Sequence, residues 1–484
     1  MIGFAIKTIG FKQFIRTILA VSKHGYTLLA LLDSVKTRHD GRGVIEDEHE
    51  KLFYEDLYVQ VLQFAYYLND RYTIQSSSKV IIICSNSVSF IKSIFAVSGL
   101  GADIFLLNTN KKEAYYRDLL TTQKFDLIIG NAAIEKEFST YGVPFFSCNK
   151  TIEISCKGGI RNIVKRKQGS IIVLSSGSKG KPKMEKRKVA AIKFLYPLID
   201  IINKLNLQDS KSVLISVPII HGYGLAALLL SFFMGQRIYL SKKFDPDNTL
   251  KLLKTGVDCW IAVPLMIQKV YSLTELRTGL VKNIISGGDV LPPSVVKITH
   301  KATSSEIYNM YGTSETGICT IATNDDLLKY PDSIGKLVKG VNAKVAYEDR
   351  NSENQIGELY VRASWSADNK SRDYWPTGDL VSLNKEGYYF YKGRKDDMMV
   401  IGGENVYPIE LENAIYKNSI VKWVKAKSIT DKNQRTIVHI DVVLKSKIKC
   451  KEEDLLNWIS DKVPRYMIPK SITILHNEPV AKLM

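Results

Sequence analysis

The sequence predicts an α/β protein. It expects a large N-terminal domain of doubly wound, mixed or parallel sheets plus a small β region, followed by a small α+β C-terminal domain. Three observations carry the expectation. Apolar β-rich runs alternate with helical segments through the first third of the chain and recur beyond it. Two short β-type runs with turn residues between them follow. The pattern then changes again after Lys395. At 484 residues the chain is too long for one compact core, which agrees with a division into domains.

Lys79–Cys84 is apolar and β-branched, and reads as a buried strand. Ser89–Leu100 has helical character, Asp103–Leu107 reads as a second strand, Ala114–Thr122 as helix, and Phe125–Ile129 as a third strand. Strands that alternate with helices argue for βαβ units and a parallel sheet. Val213–Val217, Arg237–Leu240, Cys259–Val263 and Asn283–Ile285 repeat the strand signature. Gly357–Arg362 and Gly387–Lys392 suggest a small antiparallel region. Pro408–Ile415 reads as helix, Val438–Leu444 as strand and Glu452–Lys462 as helix.

Composition narrows the class. Hydrophobic residues make up 45% and charged residues 24%, ordinary globular values that argue against disorder. The six cysteines form no CxxC pair and no metal-ligand spacing, which suits a reducing cytoplasm better than a disulfide framework. The net charge of +18 favours anionic partners such as nucleotides, CoA phosphates, anionic lipid or an acidic acyl carrier protein. Lysine is scattered along the chain, so a basic proteome background explains the charge equally well. No clustered basic face with interleaved aromatics is visible, and nucleic acid is not expected as a partner. No apolar run reaches the ~18 residues needed to span a bilayer. Near the N-terminus Phe11, Phe14, Ile15 and Ile18 share one helical face, with Lys12 and Arg16 on another side. No small-residue cleavage site follows, so a signal peptide is a poor fit. Two readings stay open for this segment: an amphipathic helix at a membrane interface, or a helix packed on its own domain.

The strongest local signal is Ser175-Ser176-Gly177-Ser178-Lys179-Gly180-Lys181-Pro182-Lys183, placed after the apolar strand Ile171–Leu174. Small hydroxyl and glycine residues let a loop wrap an anion with backbone N–H groups, and lysines add charge. It is not a Walker loop, because Gly177 and Gly180 are only three apart and Pro182 follows Lys181. Taken alone, such a stretch reads more readily as a mobile surface loop.

It does not stand alone. The stretch resembles the phosphate loop of the acyl-adenylate-forming (AMP-binding) superfamily, which includes acyl-CoA synthetases, luciferases and peptide-synthetase adenylation domains. Lys179 departs from the Ser or Thr usual there. Further motifs follow in the family's order, from about Leu52 to the end. Pro218–Leu225, with His221, Gly222 and Gly224, resembles the acyl-pocket segment. Phe244-Asp245-Pro246 and Val263-Pro264 fit the scaffold between motifs. Ser286-Gly287-Gly288 resembles the turn beside adenine. Tyr308–Glu315 resembles the N-x-Y-G-x-[ST]-E motif and supplies Asn309, Tyr311, Gly312, Ser314 and Glu315. Thr377-Gly378-Asp379 matches T-G-D, Gly393–Asp397 the hinge, and Gly402–Glu410 the loop that follows.

The resemblance implies ATP, Mg²⁺ and CoA as ligands. Tyr311 would stack on adenine, with Gly287, Gly288, Asn309, Gly312 and Ser314 around the nucleotide. Asp379 would accept hydrogen bonds from the ribose, and Arg394 would reach ribose and phosphate. Ser175, Ser176, Gly177, Ser178, Lys179, Gly180 and Lys183 would hold the departing pyrophosphate. Ser178 and Glu315 would serve the metal, a hard cation that prefers oxygen donors. Singly, these residues have plainer readings: His221 a core histidine, Tyr311 a core aromatic, Asp379 a turn aspartate.

The implied reaction is attack of a carboxylate on the α-phosphorus of ATP, which asks the protein for positioning and charge neutralisation rather than a nucleophile. The family's final positive charge comes from a lysine near the C-terminus. Lys482 fits this role, although Ala481 replaces the usual Gly and the spacing is short. Lys470 is second, and a lysine in a frayed tail is the plain reading. The family's C-terminal domain rotates between two half-reactions, which implies an adenylate-forming domain over residues 1–394 and a mobile domain over 395–484. Asp396 would be the hinge, and Gly402 and Gly403 would admit pantetheine.

No Asp appears at Ile219, Ile220 or His221, where amino-acid-activating members carry one. Gly222, Gly224 and Gly317 would leave space for an apolar chain. The expectation is therefore a medium- or long-chain fatty acid converted to its acyl-CoA, by a cytoplasmic enzyme in possible peripheral contact with a membrane. An aryl acid, a carrier-protein acceptor, and a degenerate nucleotide- or lipid-binding relative stay open.

Overall fold

The computed structural model describes residues 10–37, 43–148, 169–176, 182–187, 191–273, 281–302, 305–347, 355–366, 373–401, 404–430, 436–445 and 450–476. Among these, two large sheets and a small C-terminal unit account for the architecture.

The six-stranded sheet runs Phe145–Ser147, Leu127–Gly130, Lys79–Ile83, Asp103–Leu106, Ile171–Ser176, Pro182–Arg187. Every neighbouring pair is parallel except the last. Its central strand is apolar from Val80 to Ile83 because both faces are covered there. Val80 and Ile82 point into the main core, while Ile81 and Ile83 meet a second cluster with Phe105, Tyr116, Phe125 and Phe138.

The thirteen-stranded sheet has a parallel centre. In spatial order it runs Glu306–Thr313, Asn283–Gly287, Cys259–Ala262, Ser212–Ile215, Arg237–Leu240, Val44–Glu46, with Lys51–Phe53 antiparallel at that edge. Beyond Glu306–Thr313 it continues antiparallel through Gly317–Ala322, Ser333–Leu337, Tyr389–Arg394, Trp375–Leu383, Ile356–Ala363 and Val341–Tyr347. This is the antiparallel region expected from the turn-rich sequence. The main core lies between the two sheets and includes the helices Tyr54–Tyr72 and Val88–Gly99.

From Met399 onward the apolar residues pack in a core of their own. Val421–Thr430 pairs antiparallel with Thr436–Leu444, which pairs parallel with Ser471–Leu475. The helices Pro408–Ile415 and Glu452–Ser460 cover this sheet.

Two elements differ from expectation. Ala114–Thr122 is a 3₁₀ turn, Glu113–Tyr116, running into the α-helix Arg117–Thr122. The lead turn is tightened because Tyr116 is buried and its hydroxyl both donates to Asn108 O (3.0 Å) and accepts from Asn108 N–H (2.9 Å). The Ser175–Lys183 stretch is not loop throughout. The strand runs to Ser176 and its antiparallel partner begins at Pro182, so Ser175 pairs with Lys183, while residues 177–181 lie outside the described residues.

The N-terminal helix, Phe11–His24, forms as expected but turns its apolar face outward. It packs through Gln13, Ala20 and His24, leaving Phe11, Ile15, Ile18 and Leu19 exposed. Polar anchors explain this orientation. Gln13 Nε2 donates to Ser34 O (3.0 Å), and His24 Nε2 meets Asp33 Oδ2 (3.0 Å).

Candidate active site

The site is built where the parallel half of the thirteen-stranded sheet gives way to the antiparallel half. Asn283–Gly287 and Glu306–Thr313 run parallel, and their carboxyl ends deliver Gly287-Gly288 and Tyr311 side by side. Crevices at strand carboxyl ends beside such a change of order are common ligand sites. Gly288 has a φ of +79°, a conformation that favours glycine.

Tyr311, Asp379 and Arg394 form one hydrogen-bonded group. The Tyr311 hydroxyl donates to Asp379 Oδ2 at 2.6 Å, and Arg394 Nη1 donates to Asp379 Oδ1 at 2.9 Å and to Thr377 O at 3.0 Å. Asp379 and Arg394 sit opposite each other on adjacent antiparallel strands. Thr377 Oγ1 accepts from the Asp379 N–H at 3.1 Å. Gly378 has a φ of +72°, and a Cβ there would come within 2.9 Å of Arg394 Nη2, so the T-G-D glycine leaves room for the guanidinium.

Asp379 is only 5% exposed. Burial pushes its carboxyl above the usual range. Tyr311 and Arg394 oppose that shift, and the nearby charge of Glu315 adds to it. Burial, with Asp379 beside it, pushes the Tyr311 phenol well up, so it stays a neutral donor. The Arg394 side chain is 44% exposed, which leaves it free to address a ligand while holding the buried carboxylate.

Ser314 and Glu315 lie in the turn between Glu306–Thr313 and Gly317–Ala322. Thr313 Oγ1 accepts the N–H groups of Glu315 (3.3 Å) and Thr316 (3.1 Å) and sets this turn. Gly312 and Gly317 let it pinch. A Cβ on Gly312 would sit 2.2 Å from Gly317 O, and Gly317 has a φ of +77°. Gly317 is therefore a turn glycine. Among the described residues no three His, Cys, Asp or Glu side chains converge as a metal cage. One half-buried carboxylate suits Mg²⁺, which takes one or two protein oxygens and fills its shell with phosphate and water.

A cavity of about 220 Å³ lies against this group, lined among others by Gly288, Asp289, Tyr311, Asp332, Asp379 and Asn413. Asn413 comes from the C-terminal helix Pro408–Ile415, so that unit contributes to the wall. Lys392 and Glu410 are ion-paired nearby at 3.4 Å. Asn309 also lines the cavity, but its Nδ2 donates to Ser333 O (3.2 Å), which ties its amide to the neighbouring strand. Asp396 lies exposed in the 3₁₀ turn Lys395–Asp397.

His221 is the N-cap of the helix Gly222–Met234 but makes no side-chain cap, and its buried Nε2 has no partner among the described residues. Burial lowers its pKa and Lys111 lowers it further, so the ring is held neutral. Gly222 borders open space. Gly224 does not: a Cβ there would lie 2.3 Å from Pro218 O, so this glycine serves close packing of helix on loop rather than room for a chain. Sequence reasoning missed Tyr223. Its hydroxyl donates to Ile285 O (2.8 Å), and its ring lies 3.1 Å from where a Gly287 Cβ would be. The signal was available, since bare glycines accompany a large ring, but the two motifs are 62 positions apart. Asn413 carried no such signal.

Structure thus brings together Tyr311, Asp379, Arg394, Glu315, Gly288 and Asn309. Ser175, Ser176 and Lys183 lie on the paired strands of the other sheet. Gly177, Ser178, Lys179, Gly180, Gly402, Gly403 and Lys482 lie outside the described residues. Lys470 is exposed, and its N–H donates to Val438 O at 2.9 Å.

The sequence matches the AMP-binding enzyme family over residues 32–369. It is 25% identical over 462 residues to a 2-succinylbenzoate–CoA ligase of Bacillus cereus, covering 90% of this chain and 92% of that protein. The fold matches o-succinylbenzoate CoA synthetase (MenE) from Bacillus subtilis in complex with the acyl-adenylate intermediate OSB-AMP. That match has a TM-score of 0.78 and 19% identity, and covers 93% of this chain and 95% of that one. ATP-bound MatB from Rhodopseudomonas palustris matches with a TM-score of 0.82 and 19% identity, covering 94% and 96%. With well over half of its length matched, the chain belongs to the AMP-binding enzyme family.

Proposed function

We propose that this chain is an AMP-forming acid–thiol ligase that converts a carboxylic acid to its acyl-adenylate and then to a CoA thioester. The observation that carries the reading is the Tyr311–Asp379–Arg394 group, hydrogen-bonded beside Glu315 on a cavity that the C-terminal unit helps to line. A neutral phenol, a buried carboxylate and a half-exposed guanidinium are the parts needed to grip adenine, ribose and phosphate. The 2-succinylbenzoate–CoA ligases among the relatives support CoA, rather than a carrier protein, as the acceptor.

Tyr311 stacks on adenine, Asp379 accepts from the ribose hydroxyls, and Arg394 reaches ribose and α-phosphate. The Ser175–Lys183 stretch receives pyrophosphate. Glu315 would hold Mg²⁺, which when bound neutralises the triphosphate as the acid approaches. Lys482 closes the site for adenylation. Residues 395–484 then turn about Asp396, so that the Gly402-Gly403 stretch admits pantetheine. His221, kept neutral, faces the acid without adding a charge.

For the acid, a compact carboxylate of the aryl type is favoured. Tyr223 fills the space beside Gly287, and Gly224 serves packing, so neither opens a long channel. The relatives' 2-succinylbenzoate supports the same class. A fatty acid is the second reading, favoured by the exposed apolar stripe of Phe11–His24.

A panel of aryl and alkyl acids, each scored for AMP release with and without CoA and for adenylate trapped by hydroxylamine, tests all of this. CoA-stimulated AMP release with an aryl acid is expected. ATP binding without AMP release from any acid would make the chain a binding protein. Adenylate formation indifferent to CoA would remove the thioester step.

A further inference from the structure

The helix Phe11–His24 carries its side chains in the reverse of the usual order for a surface helix. A surface helix normally buries its apolar stripe and exposes its polar one. Here Gln13, Ala20 and His24 face the protein, while Phe11 (62%), Ile18 (50%) and Leu19 (61%) are among the most exposed large apolar side chains described. Ile15 shares the stripe, and Tyr26, just past the helix, is exposed as well. At 100° per residue, Lys12, Lys23 and Arg16 fall on one arc that borders the apolar stripe directly. The helix contains no acidic residue.

The attachment is specific. Gln13 donates to Ser34 O, and His24 meets Asp33 (3.0 Å) and the Tyr58 hydroxyl (3.2 Å). Lys23 donates to the same hydroxyl at 3.1 Å, although its side chain is 58% exposed. These contacts fix the helix's rotation, so the outward apolar stripe is a consequence of a defined docking.

We propose that this outward face of Phe11–His24 is a docking surface for an anionic lipid bilayer, with Phe11, Ile15, Ile18 and Leu19 entering the acyl boundary and Lys12, Arg16 and Lys23 meeting lipid phosphates. Apolar and basic arcs side by side on one in-plane helix match the two layers of a bilayer interface. A water-soluble partner of acidic character would satisfy only the basic arc. Docking by this face leaves the helix–protein contacts intact, so the enzyme need not open to bind. No described helix is long and apolar enough to cross a membrane, so attachment by this helix is peripheral. The proposal does not depend on which acid is the substrate.

The test is cosedimentation of the full chain with phosphatidylcholine vesicles and with vesicles enriched in phosphatidylglycerol, at low and high salt. Binding to the anionic vesicles that weakens as salt rises is expected. Ile18→Ser with Leu19→Ser should cut that binding by tenfold or more, on the order of what two partly buried aliphatic side chains supply. Lys12→Glu with Arg16→Glu should remove the preference for phosphatidylglycerol, about fivefold per charge lost. All four side chains are exposed, so thermal unfolding should be unchanged in both variants. As a check that needs no loss of function, Ile15→Trp should become quenchable by brominated acyl chains. Failure of the wild-type chain to bind either vesicle overturns the proposal. So does self-association of the wild type that Ile18→Ser with Leu19→Ser abolishes, which would assign the face to a second copy of the chain.

Discussion

Asp379→Asn tests the proposed ribose contact. A carboxylate offers about four lone-pair positions. One on Oδ2 is taken by the Tyr311 hydroxyl and one on Oδ1 by Arg394, which leaves an acceptor on each oxygen for a ribose diol. Asparagine keeps the shape but turns one oxygen into a donor, so one ribose hydroxyl loses its acceptor. A hydrogen bond to a charged group contributes about 1.5–3 kcal/mol, so ATP binding should weaken on the order of 10- to 150-fold. The assay is ATP titration by calorimetry, backed by acid-dependent ATP–pyrophosphate exchange. Tyr311→Phe is the control. It leaves Asp379 one donor short and should cost about 1 kcal/mol of folding stability, yet the ring proposed to stack on adenine remains and ATP affinity should change little. Asp379→Asn with unchanged ATP affinity, or Tyr311→Phe with the larger loss, would refute this division of labour.

Other outcomes follow from the same geometry. Lys482→Ala should slow adenylation on the order of 10²–10³-fold while preformed acyl-AMP still reacts with CoA, and stopped-flow comparison of the two half-reactions checks it. Gly224→Ala pushes a methyl against the Pro218 carbonyl and should lower the unfolding free energy by about 1–3 kcal/mol, read from denaturant melts. Burial raises the folded pKa of Glu412 above its ordinary 4.5, against the pull of Lys425. The native state then holds that proton more tightly than the unfolded chain, so this group's contribution is present below 4.5 and is lost as pH rises through the folded value. Glu412→Gln keeps an acceptor for the Ala426 N–H and should flatten stability against pH just above 4.5. Asp33 runs the other way. Burial alone would raise it, but the His24 and Lys36 hydrogen bonds and the Lys36 and Lys23 charges hold its pKa well below the usual 3.8. Its contribution is present above 3.8 and is lost as pH falls below it, and Asp33→Asn should remove that dependence, measured as unfolding free energy against pH.

Much of this is legible from local pattern. VIII in Lys79–Ile83 announces a strand covered on both faces, and the T-G-D and Y-G motifs announce their own turns. What escapes depends on contacts between distant segments. Gly224 looks like spare room in sequence because nothing shows that Pro218 closes over it. Tyr223 reads as one more residue of a motif until Gly287 is seen beside its ring. The N-terminal helix shows its period in the sequence but not its orientation. Periodicity reports which side chains share a face but not which face the protein will take, and Gln13 and His24 find buried partners that outweigh four apolar residues.

The convergence of Tyr311 on Asp379 is a problem of sheet shape before it is one of chemistry. Their strands lie four places apart in the sheet order, yet hydroxyl and carboxylate are 2.6 Å apart. Flat strands ~4.8 Å apart would separate them by about 19 Å, so the antiparallel half must coil tightly on itself. The means are visible in the ladder. Register shifts fall at Tyr311/Gly312, Ser333/Gly335 and Leu380/Val381, along the path between the two residues, and bulges bend and twist the strand that carries them. Gly335, with a φ of +84°, lies where a Cβ would be 2.1 Å from the backbone of Ile321 and Ala322, so the coil passes through a point only glycine fits. Gly335→Ala should therefore act at a distance. Gly335 does not line the cavity, but by relaxing the coil the substitution should separate Tyr311 from Asp379 and weaken ATP binding together with stability. Tyr311→Phe in that background should then cost less than it does in the wild type. Full additivity of the two in a double-mutant cycle would mean that the coil does not hold the pair together.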